Sequence, residues 1–108
     1  CTIDLNGQQI DGSTDNVLNM GSIKDKFTAF GFDVLIEKQG NNIDSILKIL
    51  SAAKLKSGKG KPICILLHTE MGHGVDFMMG SHKWHGVAPN DEELSLALSQ
   101  NKETLGDY

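Results

Sequence analysis

The sequence predicts an α/β domain, a parallel sheet with flanking helices, and three observations carry that prediction. Strand-like and helix-like patterns alternate along the 108 residues as strand, helix, strand, helix, strand, long loop, helix, which is the order of βα units. Ile63-Cys64-Ile65-Leu66-Leu67 is an unbroken apolar run, suited to a strand buried on both faces of a parallel sheet. Ile43, Ile46, Leu47 and Leu50 recur at helical spacing, so a helix is expected over 43–54.

The remaining elements follow in order. Residues 2–5 favour a strand and stop at Asn6-Gly7, a turn dipeptide. Asp11 to Asn16 is polar and rich in helix starters, and no pattern extends from it through Met20. Ser22 is expected to cap a helix over 23–30, with Phe27 and Phe30 on one face and Gly31 ending it. Residues 32–37 (FDVLIE) read as a strand and Gly40-Asn41-Asn42 as a turn. The lysine-rich piece from Lys54 to Lys61 is a solvated loop. Its Gly58-Lys59-Gly60-Lys61 lacks the glycine spacing and the Ser or Thr of a nucleotide loop, and Pro62 blocks a helix start there.

From Thr69 to Asn90 the chain is rich in glycine and histidine without periodicity, and long loops of this kind are usually functional. Phe77, Met78 and Met79 read as its apolar anchors. Asp91-Glu92-Glu93 opens a last helix over 91–101, with acidic residues where the helix N-terminus favours them. In such sheets ligands bind at the carboxyl ends of the strands. Segments 6–12 and 69–89 both follow strands, so the functional residues are expected there.

Composition narrows the classes. A hydrophobic fraction of 39% and a charged fraction of 22% are ordinary for a soluble globular chain, and 108 residues hold one domain at most. No apolar run approaches a membrane span, and nothing reads as a secretion signal. A formal net charge of −4 with no basic stripe argues against a nucleic-acid partner. All ten basic residues are lysines, so no guanidinium fork is present to clamp phosphate. Cys64 lies in the most apolar run and is expected to be a buried, reduced thiol, which fits a cytoplasmic setting.

Two segments carry chemistry. After the first strand comes Asp4-Leu5-Asn6-Gly7-Gln8-Gln9-Ile10-Asp11-Gly12, and near the end of the long loop comes Trp84-His85-Gly86, closed by Pro89. An Asn before Gly is ordinarily a turn residue. Its amide oxygen and a nearby main-chain carbonyl are also neutral ligands of the kind Mg²⁺ takes alongside carboxylate and phosphate oxygens. His68, His73, His82 and His85 admit a histidine-based zinc site, although their spacings are irregular.

Together the two segments resemble transketolase, a thiamine-diphosphate enzyme, and in particular the amino-terminal subunit of the split type. The resemblance runs from Cys1 to about Leu98. Transketolases hold their metal with an Asp from an upstream Gly-Asp-Gly, an Asn after the next strand, and a carbonyl two residues later. The resemblance places the last two on Asn6 and Gln8, binding Mg²⁺ or, as a substitute, Ca²⁺. Ile10 would pack against the thiamine diphosphate. His85 matches the histidine of the family's Trp-His-Gly or Val-His-Gly, which contacts the diphosphate and takes part in proton transfer, so it is the implied catalytic residue. Thr69 to Gly74 is similar to Thr-x-Lys-Gly-x-Gly. Gly72 and Gly74 are kept for close backbone approach to the cofactor, while Met71 stands at the lysine position. Gly40-Asn41-Asn42 departs from the common Gly-His-Asp, a difference expected to matter little.

Only five residues precede Asn6, so the Gly-Asp-Gly is expected in an upstream half of the same domain. Residues 1–108 then form the C-terminal portion of a transketolase-like thiamine-diphosphate-binding domain, with Thr104 to Tyr108 as a natural terminus. The implied activity is transfer of a two-carbon ketol unit between sugar phosphates. It would require the upstream half and the carboxy-terminal transketolase subunit in an oligomeric assembly, and the isolated chain is expected to be inactive. Three alternatives stay open: another thiamine-diphosphate enzyme of the deoxyxylulose-phosphate synthase or dehydrogenase class, a non-enzymatic interaction module of the same fold, and the histidine metal site.

Overall fold

The structure, a computed structural model, describes residues 1–101; the terminus expected at Thr104 to Tyr108 lies outside the described residues. Its main sheet has three parallel strands, β1 (Thr2–Leu5), β4 (Asp33–Glu37) and β5 (Ile63–His68), in the order β1-β5-β4. β5, last in sequence, is therefore central and hydrogen-bonded on both sides. This explains its unbroken apolar composition, and Cys64, Ile65 and Leu66 are buried. A two-stranded antiparallel ribbon, β2 (Gln8–Gln9) and β3 (Gly12–Ser13), follows β1.

Helix α3 (Ile43–Lys56) covers one face of the sheet. Ile49 and Ala53 pack on Ile65, surrounded by Leu35, Ile63 and Leu67. Each large aliphatic side chain so buried contributes about 1.5–3 kcal/mol. Asn42 caps the helix, its side chain accepting from Ser45 N at 2.9 Å. The apolar spacing that predicts this helix does not name its buried side. Ile43, Leu47 and Leu50 are exposed at 65%, 55% and 45%, because the sheet meets the stripe through residues 46, 49 and 53 instead.

On the other face, reached by the alternate residues of β5, α1 (Thr14–Val17) and α2 (Ile23–Ala29) border a cavity with Ile3, Ile36 and Leu66. Ser22 caps α2 as expected, accepting from Asp25 N. The shared face expected for Phe27 and Phe30 is corrected: Phe30 is 81% exposed, and Phe27 meets Phe32 edge-on at 5.1 Å. Gly31, at φ +85°, supplies the reason. It donates to Thr28 O while Phe32 N donates to Phe27 O, a Schellman ending that folds the following residue back onto the helix.

The last helix, α4 (Asp91–Gln100), begins with a reciprocal capping box between Asn90 and Glu93. No helix among the described residues is long and apolar enough to cross a membrane. Both cysteines are free, Cys1 exposed and Cys64 buried. Burial pushes the Cys64 thiol up from its ordinary value, against a smaller opposite effect of the N-terminal ammonium.

Candidate functional site

The carboxyl ends of β1, β4 and β5 define one edge of the molecule, and both chemically informative segments leave from it. At the end of β1, Asn6 folds its side chain over the turn. Its Oδ1 accepts from Gln8 N at 2.9 Å, and Gly7 takes φ +73°, a conformation that favours glycine. The Gly7 carbonyl then accepts from Thr14 N at 2.9 Å, which closes the β2–β3 ribbon and fixes where Gln8 and Ile10 stand.

An amide oxygen has two lone pairs, so Asn6 Oδ1 keeps one for a cation after bonding Gln8. That is the neutral donor Mg²⁺ accepts alongside anionic oxygens. Among the described residues there is no cluster of three or more His, Cys, Asp or Glu able to hold a metal. This counts against the histidine site. Asn6 and Gln8 thus fit part of a coordination sphere completed by a carboxylate and phosphate oxygens.

The long loop is not structureless. Gly72, at φ +76°, starts a tight turn in which Val75 N donates to Gly72 O, and Met78 N and Met79 N donate to Val75 O. A Cβ at Gly72 would lie 2.6 Å from the Met78 Cβ, so glycine there is demanded by the loop's own closure. Val75 is buried, and Asp76 N donates to Gln100 Oε1 at 2.8 Å, tying the turn to α4. Gly74 takes φ +95°, with Asn101 Oδ1 3.1 Å from where its Cβ would be.

Residues His82–His85 then form a single 3₁₀ turn that packs on β2 and β3. Trp84 anchors it: the indole Nε1 donates to Phe77 O at 2.9 Å, the ring meets Phe77 edge-on at 5.2 Å, and Lys83 Nζ lies 4.8 Å above it. Of the tripeptide, tryptophan holds the loop and histidine is left exposed. Sequence reasoning singled out Trp84 without finding this anchoring role. The signal available was the apolar Phe77 seven residues earlier.

His85 and Ile10 come together. They line one cavity of about 420 Å³ with Gln8, Gln9, Asp11 and Val17. Asn6 stands at the boundary of a second cavity, of about 610 Å³, along the β4 and β5 ends. Gly72 and Gly74 belong to the same edge but line neither cavity.

The turn after β4 does more than reverse the chain. Gly40 N donates to His68 O at 2.8 Å, and a Cβ on Gly40 would meet that oxygen at 2.6 Å. Asn41 Oδ1 accepts from Glu70 N at 2.7 Å, and the Thr69 hydroxyl donates to the Asp4 carboxylate. The start of the loop after β5 is therefore stitched to both neighbouring strands.

With this edge described, comparison with known proteins is decisive. The family model for the transketolase thiamine diphosphate binding domain matches residues 1–106. The chain belongs to this transketolase family. It is 35% identical over 95% of its length to an apulose-4-phosphate transketolase subunit of Phocaeicola vulgatus. It is 34% identical over 90% of its length to a 6-deoxy-6-sulfo-D-fructose transketolase subunit of Clostridium sp., and 29% identical over 90% to a transketolase of Staphylococcus epidermidis. The chain spans 36% and 34% of the first two relatives and 14% of the third, about a third at most of the proteins it matches.

Proposed function

We propose that this chain supplies the metal- and diphosphate-facing part of a transketolase that transfers two-carbon ketol units between sugar phosphates. The observation that carries the reading is the meeting of the Asn6–Ile10 ribbon with His85 at the carboxyl edge of the sheet, in a chain of the transketolase thiamine-diphosphate-binding family. Asn6 Oδ1 and the Gln8 carbonyl hold Mg²⁺, for which Ca²⁺ can substitute. Ile10 gives the cofactor an apolar contact, and the backbone at Gly72 and Gly74 approaches it.

His85 is the catalytic residue. An imidazole can donate to a phosphate oxygen and can also take up or release a proton near neutral pH. When bound, thiamine diphosphate supplies the nucleophilic carbon for ketol transfer. The chain's own residues bind and orient it.

Residues 1–108 act as the C-terminal portion of the diphosphate-binding domain. The remaining metal carboxylate belongs to an upstream Gly-Asp-Gly half, and a carboxy-terminal transketolase subunit completes an oligomeric assembly. Three relatives named as transketolase subunits, rather than whole transketolases, support this division. The two free cysteines fit a reducing cytoplasm. The test is calorimetric titration of the chain with thiamine diphosphate and Mg²⁺, alone and with the complementary subunits. Binding weakened by Asn6→Ala and by His85→Gln, with ketol transfer only in the full assembly, is expected. Unaided transfer by the 108-residue chain, or binding indifferent to both variants, would refute the proposal.

A further inference from the structure

β5 ends at His68, and Thr69 is the first residue of the long loop. Both neighbouring strands reach it through the residues at their ends. On the β4 side, Gly40 N donates to His68 O at 2.8 Å. A Cβ on Gly40 would lie 2.8 Å from the Thr69 methyl, so only glycine lets the turn close against that methyl. On the β1 side, the Thr69 hydroxyl donates to the Asp4 carboxylate, and Thr69 N donates to Leu5 O at 3.4 Å. Threonine carries its methyl and hydroxyl on one stiff, branched Cβ. Here the two branches are divided between the two neighbours of β5.

The bonds continue into the loop. Glu70 N donates to Asn41 Oδ1 at 2.7 Å, and His73 N donates to Glu70 O at 3.3 Å. Asp4 stands two residues before Asn6, whose Oδ1 accepts from Gln8 N. One strand end therefore carries both the Asn6 turn and the anchor of the glycine loop. A hydroxyl has one proton to donate, and that of Thr69 is committed to Asp4. A hydrogen bond to an ionised carboxylate is about twice as strong as a neutral one. Thr69 thus acts on a ligand through the backbone that it fixes.

We propose that Thr69, held between Asp4 and Gly40, is a positioning residue: it fixes the course of residues 69–74 relative to the Asn6 turn before any cofactor arrives. The proposal rests on the cofactor reading above for what the loop faces, and on the geometry alone for the clamp. With the hydroxyl or its acceptor removed, a cofactor would have to order the loop as it binds, which weakens affinity.

The experiment measures amide hydrogen exchange by NMR on the 108-residue chain without cofactor, for the wild type, Thr69→Val, Asp4→Ala, the double variant and Asp4→Asn. Valine keeps the branched shape against Gly40 and loses the donor, while asparagine keeps an acceptor oxygen at position 4. Exchange at Glu70 and His73 should quicken by roughly tenfold in Thr69→Val and in Asp4→Ala, the loss typical of a charged hydrogen bond. It should quicken no further in the double variant, because the two residues share one interaction, and Asp4→Asn should restore the wild-type rate. The amides of Ile65 and Leu66, buried in β5, should keep their rates, which shows that the variants fold. Unchanged exchange at Glu70 and His73, additive effects in the double variant, no rescue by Asp4→Asn, or quickening that spreads to Ile65 and Leu66 would each overturn the clamp. Calorimetric titration with thiamine diphosphate and Mg²⁺ in the assembly with the complementary subunits reads the consequence. Affinity should fall by roughly tenfold in Thr69→Val and Asp4→Ala and return in Asp4→Asn; equal affinity across the series would overturn the positioning role. A wild-type assembly that binds no thiamine diphosphate would refute the cofactor reading instead, and the exchange pattern would still decide the clamp.

Discussion

Replacing Gly72 by Ala separates two explanations of one residue, and its magnitude can be worked from the turn itself. Gly72 and Gly7 have nearly the same φ, +76° and +73°. Alanine at either position bears the left-handed backbone penalty of about 1–2 kcal/mol. At Gly7 nothing lies within 4 Å of the added Cβ, whereas at Gly72 it meets Met78 Cβ at 2.6 Å and the Met78 carbonyl carbon and oxygen at 2.8 Å. Those neighbours include backbone, so they must shift, and forced overpacking costs about 1–3 kcal/mol.

Gly72→Ala should therefore be less stable than Gly7→Ala by about 2 kcal/mol, or roughly 1 M in urea midpoint for a slope near 2 kcal/mol/M. The assay is urea unfolding of both variants by circular dichroism, with amide exchange at Val75, Met78 and Met79 to catch opening confined to the loop. Equal stabilities together with unchanged exchange in the loop would refute the packing argument. Glycine at 72 would then be explained by approach to a ligand alone.

Four further outcomes are expected. Cys1 should react with a thiol reagent at once and Cys64 only on unfolding, as an exposed and a buried thiol do. Because folding raises the Cys64 pKa, the folded state holds the proton more tightly; that stabilisation is complete below the unfolded thiol's pKa and is lost as pH rises through the folded value. Alkaline melts of wild type and Cys64→Ala should therefore converge, and a gap that widens with pH would contradict the sign. Trp84→Phe keeps the edge contact with Phe77 but loses the 2.9 Å bond to its carbonyl, which should cost about 1 kcal/mol and weaken thiamine diphosphate binding by freeing His85; unchanged exchange across 82–85 would dismiss the anchor. Lys56→Met removes a half-exposed ion pair with Asp33 at 2.8 Å, so its effect should stay below about 1 kcal/mol and vanish in high salt, as a salt series of melts would report.

Where the sequence was legible, a residue pattern had one physical meaning. The run Ile63 to Leu67 can be that apolar only if both sheet faces are covered, and β5 is central. A capping residue marked α2, because Ser22 satisfies a backbone N–H that has no helical partner; apolar spacing marked α3 and an acidic first turn marked α4, and the caps Asn42 and Asn90 came to light only in the structure. The β2–β3 ribbon was not legible, since two-residue strands carry no periodicity and this one is held by the Asn6 turn. The buried side of α3 was hidden because its apolar residues run over more than one face. At the candidate site, the residue types of Asn6 and His85 were readable, but the meeting of His85 with Ile10 depends on Trp84 reaching Phe77 across the loop.

The central position of β5 also sets an order of assembly. Its register with β4 joins residues about thirty apart, as Leu35 with Ile65, while its register with β1 joins Thr2 to the same Ile65. Closing the longer loop carries the larger entropic cost, and the β4–α3–β5 unit already contains the cluster of Ile49, Ala53 and Ile65. That unit should form first and present an open flank on β5, onto which β1 zips late. The Asn6 turn, carried on β1, should therefore be built last, so the end of the chain proposed to bind metal matures only once the rest of the sheet is in place.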